Sequence, residues 1–576
     1  MTMDKPDKLT ITVRNSTAVL WLVSTLFTSP LAFGRLTGKP VPLYGVAEAV
    51  TLPVLAVLAA AVLVWCGGMI ALYRERSWQI FGAAQLLLTA VAAGHLIAGN
   101  MNITTAGLTV FWVLAPTVGA VLKPEFERLL PWIAGATALL LAVSGFTSEY
   151  FTGLTGNWNW TQGVLLALIP GAFLLLKKYC RWWKYGAIAA VMLMMTVIYW
   201  RYRAQFSYGA AVAVCAAILI IYLKIRLPDA VQKWGFPAGA LVGIAGFWVL
   251  LSQADFNNSR FQLWKGAMEM FQERSWAGFG QFGNQILTFL PEKYSFTPHA
   301  AVWHPHPHNE ILNFLCLYGV AGGIFLAALL FLVLRRREYR DTELFALWVF
   351  LVLSGCGMFD MHCAIVTGAV WAFTCAGIAA APQRNITAEP IPLWRHLAGI
   401  ALLIAFCGLT LNHYRAGAAR RQGELAKHKG DIVAARAHWQ RSLKYENTPE
   451  TLYALAELEV LAGRVHYGRT LLNELSQQNM ENFRHTRRLR GMCEFQSGNH
   501  AVALQEMKAE CRNYPFSIIS ARMRWSILQQ CHAPQTEIAE AQAYFYGLCQ
   551  FRGIKPENAG KLTPAEDDKP LKDPAP

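Results

Sequence analysis

Residues 304–337 read HPHPHNEILNFLCLYGVAGGIFLAALLFLVLRRR. From Asn309 to Leu334 the only charged residue is Glu310. A membrane-crossing helix needs roughly 20 mostly apolar residues, so this stretch predicts a span over 309–334. Arg335, Arg336 and Arg337 close it on one side, as expected of a cytoplasmic rim. A polar histidine–proline segment closes it on the other.

Working outward, the same criterion marks further spans near 17–34, 45–72, 78–98, 104–122, 130–146, 161–177, 184–200, 208–224, 235–251, 342–357, 364–382 and 396–412, about thirteen in all. Composition agrees: 54% of the chain is apolar and only 15% charged, with a mean hydropathy of +0.30. A soluble domain is nearer a quarter charged, so a purely soluble enzyme is excluded. The formal charge of +15 reads as the basic rims of membrane helices rather than as a nucleic-acid surface. Twelve cysteines contain no C-x-x-C pair, which argues against a zinc ribbon or dithiol redox motif.

With the N-terminus inside, the Lys/Arg count alternates almost throughout. Loops holding Arg74/Arg76, Lys123/Arg128, Lys177/Lys178/Arg181/Lys184, Lys224/Arg226/Lys233, Arg335–Arg340 and Arg384/Arg395 fall on the cytoplasmic side. Loops 99–103, 147–160 and 358–363 carry no Lys or Arg and face outward. Arg35/Lys39 and Arg201/Arg203 break the rule on the outer side. An odd number of spans then places the segment 252–308 and everything after residue 412 outside.

Beyond that point the chain becomes charged and amphipathic. Gly430, Gly463 and Gly498 recur at spacings of 33 and 35, near the 34-residue period of tetratricopeptide helical hairpins. The tail from Pro556, rich in Pro, Lys and Asp, is expected to be disordered. The expected architecture is all-α. It comprises a membrane domain over 1–412 with a large loop 252–308, a tetratricopeptide-like repeat domain over 413–555, and a disordered tail over 556–576.

The outer segment 252–308 concentrates the candidate chemistry. It contains Asn258-Ser259-Arg260, Trp264, Trp276-Ala277-Gly278-Phe279-Gly280 and His304-Pro305-His306-Pro307-His308-Asn309. A histidine where a polar loop meets a membrane helix sits at the lipid–water boundary. Its ordinary pKa lies near neutrality, so it can take a proton from an incoming hydroxyl.

The pattern His308-Asn309, nine residues, then Gly319-Val320-Ala321-Gly322, preceded by Arg260-x-x-x-Trp264 and Gly278-x-Gly280, resembles the O-antigen ligase superfamily. That superfamily holds lipopolysaccharide O-antigen ligases, O-antigen polymerases and bacterial protein O-oligosaccharyltransferases. Gly156-Asn157-Trp158-Asn159-Trp160 and the span ending in Pro170 are similar to another of its elements. One departure stands out. Where the family has a Ser-Arg pair, this chain has Ser207-Tyr208, with Arg201 and Arg203 a few residues earlier.

The resemblance implies a bacterial inner-membrane glycosyltransferase that needs no metal or other cofactor. Its donor would be a glycan on undecaprenyl pyrophosphate and its acceptor a periplasmic protein, such as a pilin-like subunit, with ligation to lipid A–core or O-antigen polymerisation as the alternatives. It implies His308 as the catalytic base. Arg260, Arg201 and Arg203 would bind the pyrophosphate, because a guanidinium matches a phosphate bidentately, with His306 and Asn309 beside them. A lipid-linked glycan transporter and a non-catalytic scaffold are the rival readings. Cys493, Cys511, Cys531 and Cys549, spaced by 18, 20 and 18, suggest the disulfides Cys493–Cys511 and Cys531–Cys549. Trp158, Trp160, Trp264, Trp276 and Trp303 suggest an interfacial aromatic belt.

Overall fold

A computed structural model describes residues 8–27, 47–67, 69–146, 158–202, 259–290, 294, 304–336, 338–358, 366–382, 392–562 and 567. The expected spans 208–224 and 235–251 lie outside these residues, as does Arg203. Among the described residues every regular element is helical. They fall into two compact units, one made of 1–242 with 308–414 and the other of 243–307 with 415–576.

The first unit holds α1 (Lys8–Phe27), α2 (Ala47–Cys66), α3 (Arg76–Ile97), α4 (Ile103–Val121), α5 (Lys123–Phe146), α6 (Trp158–Leu174) and α7 (Trp183–Tyr202). The large loop carries α8 (Ser259–Glu273) and belongs to the second unit. The first unit resumes with α9 (Glu310–Tyr318), α10 (Val320–Leu334), α11 (Asp341–Gly357) and α12 (Val366–Ala380). Helix α13 (Leu393–His428) begins as an apolar span and continues without a break into charged sequence. Three described helices, α3, α5 and α13, are both long and apolar enough to cross a membrane. Shorter apolar helices cover 54–66, 105–121, 161–177, 320–334 and 368–380.

Glycine and proline account for several of the short ones. The expected single span over 309–334 is two helices, because Gly319 adopts φ 60° and ψ −144°, a conformation that an L side chain resists. Gly322 then lies against the Phe314 carbonyl, which a Cβ would overlap. So α9 folds back on α10 rather than continuing it. The expected span over 45–72 likewise ends at Cys66, with Gly67 at φ 64°.

Small residues also set the core packing. Helix α4 crosses α12 where Gly119 meets the Thr374 carbonyl and Gly377 meets the Pro116 carbonyl, and a Cβ at either glycine would overlap that oxygen. Lipid supplies no hydrophobic drive between helices, so close backbone approach through small residues holds such pairs together. Gly377→Ala should therefore destabilise the detergent-solubilised protein by about 1–3 kcal/mol in a thermal unfolding assay. Gly408→Ala, where nothing lies within 4 Å, should leave it unchanged.

Several loops meet at one end of this unit. Arg14 pairs with Glu125 at 3.0 Å and donates to the Val121 carbonyl at 2.7 Å. Buried Glu343 takes both Lys123 and Arg336, the latter at 3.2 Å. Lys177 pairs with Asp341 at 2.8 Å, and Arg335 with Glu75 at 3.1 Å. Lys123 also reaches the Pro382 carbonyl at 3.2 Å. Five basic segments of the chain thus converge through ion pairs that no single loop reveals.

In the second unit α14 (Ile432–Tyr445), α15 (Pro449–Leu461), α16 (Val465–Gln477), α17 (Thr486–Gln496), α18 (His500–Asn513), α19 (Ile518–Gln530) and α20 (Gln535–Phe551) pack each on the next. Gly430, Gly463 and Gly498 adopt φ 78°, 78° and 80°. The amide after each donates to the carbonyl five residues back, in Asp431 to Ala426, Arg464 to Glu459 and Asn499 to Glu494, at 2.8–2.9 Å. This is the left-handed closure that ends a helix and starts its partner, and it explains the recurring glycine. Trp439, Leu455, Leu472 and Phe483 fill the first core, and Ile518, Phe545 and Leu548 the last.

The four late cysteines are free thiols, not the suggested disulfides. Cys493 lies in the first core, Cys549 in the last, and Cys531 against a third around Met507 and Ile527. Burial pushes the Cys493 thiol up to about 11 and Cys511 up to about 12. Mass mapping without reductant should return all four as thiols. Half-buried Cys531 should react with a maleimide well before Cys493 or Cys511 near neutral pH, since only the thiolate reacts. Recovery of either cross-linked pair would contradict this packing. The expected disordered tail is also partly ordered, with a 3-10 turn over Pro556–Lys561 and a buried Asp567.

Candidate functional site

The loop segment that leads to His308 is built on α8. Leu263, Trp264, Ala267 and Met270 form its buried face, and the 3-10 turn Ile286–Thr288 packs against the helix. Gly266 approaches the Phe289 backbone too closely for a larger residue to fit without a shift. Gly278 and Gly280, at φ 73° and 75°, turn the chain between them, and Arg274 lies 4.6 Å from the Phe279 ring centre.

Trp264 is only 3% exposed, so it is a core residue rather than part of an aromatic belt; Trp276, at 84%, is exposed. The Trp264 indole N–H donates to the Pro307 carbonyl at 2.8 Å. Pro307 is the residue before His308, so α8 grips the peptide link that presents the histidine. Arg260 precedes Trp264 by four residues on α8 and therefore shares its helix face. It is half-buried.

The three histidines are not equivalent. Pro305 and Pro307 have fixed φ and disfavour the helical region at His304 and His306. His304 is buried, and its Nε2 shares a hydrogen bond with the Tyr294 hydroxyl. Burial pushes the Tyr294 phenol well up, so it stays a neutral hydroxyl, and its bond with His304 gives that histidine a structural place in the loop. His306 is half-buried.

His308 is half-buried and adopts φ 53°. A non-glycine residue in the left-handed region stores strain of order 1 kcal/mol. Such a conformation persists only where its surroundings hold it. Here Trp264 holds the preceding carbonyl, and Asn309 holds the following turn. The Asn309 Oδ1 accepts the Leu312 amide at 3.0 Å and caps α9. Its Nδ2 donates to the Met358 carbonyl at 2.9 Å, at the end of α11. Both polar atoms of Asn309 are thus engaged in holding the turn. Gly319 ends α9 after only nine helical residues, so the His-Asn and Gly-x-x-Gly elements bound one short helix.

The same loop is tied to the C-terminal helices by a feature the sequence did not announce. The Asn284 amide donates to the Asn479 carbonyl and to Glu481, the latter at 2.9 Å. Its Oδ1 accepts the Asn482 amide at 3.2 Å, and the Asn482 side chain returns a bond to the Asn284 carbonyl at 2.9 Å. Asn479 itself sits at φ 57°. Its place just past α16, where asparagine tolerates the left-handed region, was the only local signal.

Of the other expected site residues, Arg201 lies near the end of α7, and Arg203 lies outside the described residues. Among the described residues no three His, Cys, Asp or Glu side chains are grouped as a metal site requires.

No curated protein matches the chain. Residues 161–327 match the family model described as O-antigen ligase, a segment that runs from α6 through the large loop, His308 and the Gly319 break into α10. Over that segment the chain is similar to the O-antigen ligase family.

Proposed function

We propose that the protein is a metal-independent glycosyltransferase that moves a glycan from undecaprenyl pyrophosphate to a hydroxyl of a periplasmic protein. The observation that supports it best is His308, held in a left-handed turn between the Trp264–Pro307 and Asn309–Met358 hydrogen bonds. The imidazole takes the acceptor hydroxyl proton as the oxygen attacks the anomeric carbon. The bond from that carbon to the pyrophosphate oxygen breaks, and undecaprenyl pyrophosphate leaves. Arg260, with Arg201 and Arg203, neutralises the departing charge, while Asn309 and His306 position the base. Such electrostatic stabilisation is worth as much as the proton transfer itself.

In this reading the chain crosses the bacterial inner membrane about thirteen times, with its N-terminus and the ion-paired basic loops in the cytoplasm. The loop 252–308 and the C-terminal helices, read as tetratricopeptide-like repeats, face the periplasm. The Asn284–Asn482 contacts tie the loop to a helical repeat, an architecture suited to protein partners, and so favour a protein acceptor. The test offers the purified protein equal amounts of a pilin-like protein and a lipid A–core glycolipid, together with the lipid-linked glycan. The protein acceptor should gain the glycan mass. Gain by the glycolipid alone would make this chain an O-antigen ligase in the strict sense, and elongation of the donor glycan would make it a polymerase.

A further inference from the structure

We propose that the last repeat helices carry a recognition site for the carboxylate of an acidic peptide segment of a partner protein, and that Asp567 of the same chain fills it in cis. Asp567 belongs to the stretch after the final turn, yet it is only 4% exposed. Its carboxylate accepts the Ser517 hydroxyl at 2.6 Å and the Ile518 amide at 2.8 Å. Arg552 lies 3.3 Å from the carboxylate, and Arg488 lies 3.6 Å from it. The two arginine side chains are 8% and 4% exposed.

The holding groups come from the repeat helices and the held group does not. Arg488 lies on α17, Ser517 and Ile518 open α19, and Arg552 caps α20. The helix start contributes a free amide and a favourable dipole for an anion. The guanidinium groups contribute charge in a buried setting, where an uncompensated cation is costly. Once emptied, the pocket therefore favours another carboxylate. Arg552 also donates to the main-chain carbonyl of Asp567 at 2.7 Å. A simple anion would leave that bond unmade, so the site reads a peptide backbone together with an acidic side chain. The inference does not depend on the transfer chemistry proposed above.

The test uses a fluorescent peptide of residues 562–573, LTPAEDDKPLKD, and anisotropy with three forms of the protein. The full chain should bind it weakly, because its own tail competes at an effective concentration near millimolar. Full-length Asp567→Asn, and a chain ending at Leu562, should both bind it saturably and at least about tenfold more tightly. Asp567→Asn within the peptide, or Arg552→Ala in the shortened chain, should remove that gain. The proposal is overturned if Asp567→Asn protein with an unchanged Tm binds no better than the parent. It is equally overturned if the substituted peptide binds as well as the natural one, or if inorganic phosphate displaces the peptide at equal concentration.

Discussion

His308→Asn lowers glycan transfer by about 10²–10⁴-fold, the usual worth of a general base, with Tm and membrane insertion unchanged. Asparagine is the informative replacement because it tolerates the left-handed backbone that His308 occupies at φ 53°. The turn between Pro307 and Asn309 is then kept, and only the proton acceptor is lost. His308→Ala should show the same loss of transfer plus a small loss of stability, since alanine resists that backbone. His308→Gly should remove the strain, and it should be at least as stable as the parent and equally inactive. Donor binding should stay near the parent value in all three. If His308→Asn transferred glycan at the parental rate, the histidine would not be the base.

Trp264→Phe gives the second largest effect, about a tenfold fall in kcat with the donor KM unchanged. The substitution keeps a buried ring against Phe261, whose centre lies 5.1 Å away, but removes the N–H that holds the Pro307 carbonyl. One such bond is worth about 1 kcal/mol in stability. A misplaced base also loses rate, so kcat per folded molecule should fall as well as Tm. A purely structural tryptophan would instead lower Tm and leave the rate per folded molecule intact.

What the sequence disclosed follows what is local. Hydropathy is a property of composition, so the helical membrane character and the apolar runs were legible at once. The His-Asn and Gly-x-x-Gly spacing pointed to the family that the match over 161–327 supports. The meaning of that spacing was not legible. A glycine inside an apolar run is tolerated in membrane helices, so only the dihedrals at Gly319 and the crowding at Gly322 reveal a fold-back. Trp264 read as an interfacial aromatic because burial is a tertiary property. Asn284 carried no signal, since its partner Glu481 lies 197 residues away in sequence. The cysteines misled through their even spacing, which reflects a succession of helices of similar length and not sulfur–sulfur proximity. Asp567 sits in a stretch whose composition suggests disorder, and its burial depends on two distant arginines.

The most direct test of the account follows donor and acceptor together. Purified full-length protein in lipid vesicles is given undecaprenyl-pyrophosphate-linked glycan and a periplasmic hydroxyl acceptor, without added metal. The account predicts that acceptor glycosylation and release of undecaprenyl pyrophosphate rise in equal amounts in the parent, and that neither occurs in His308→Asn. Donor consumed by the parent without glycan appearing on any acceptor, or transfer undiminished in His308→Asn, would contradict it.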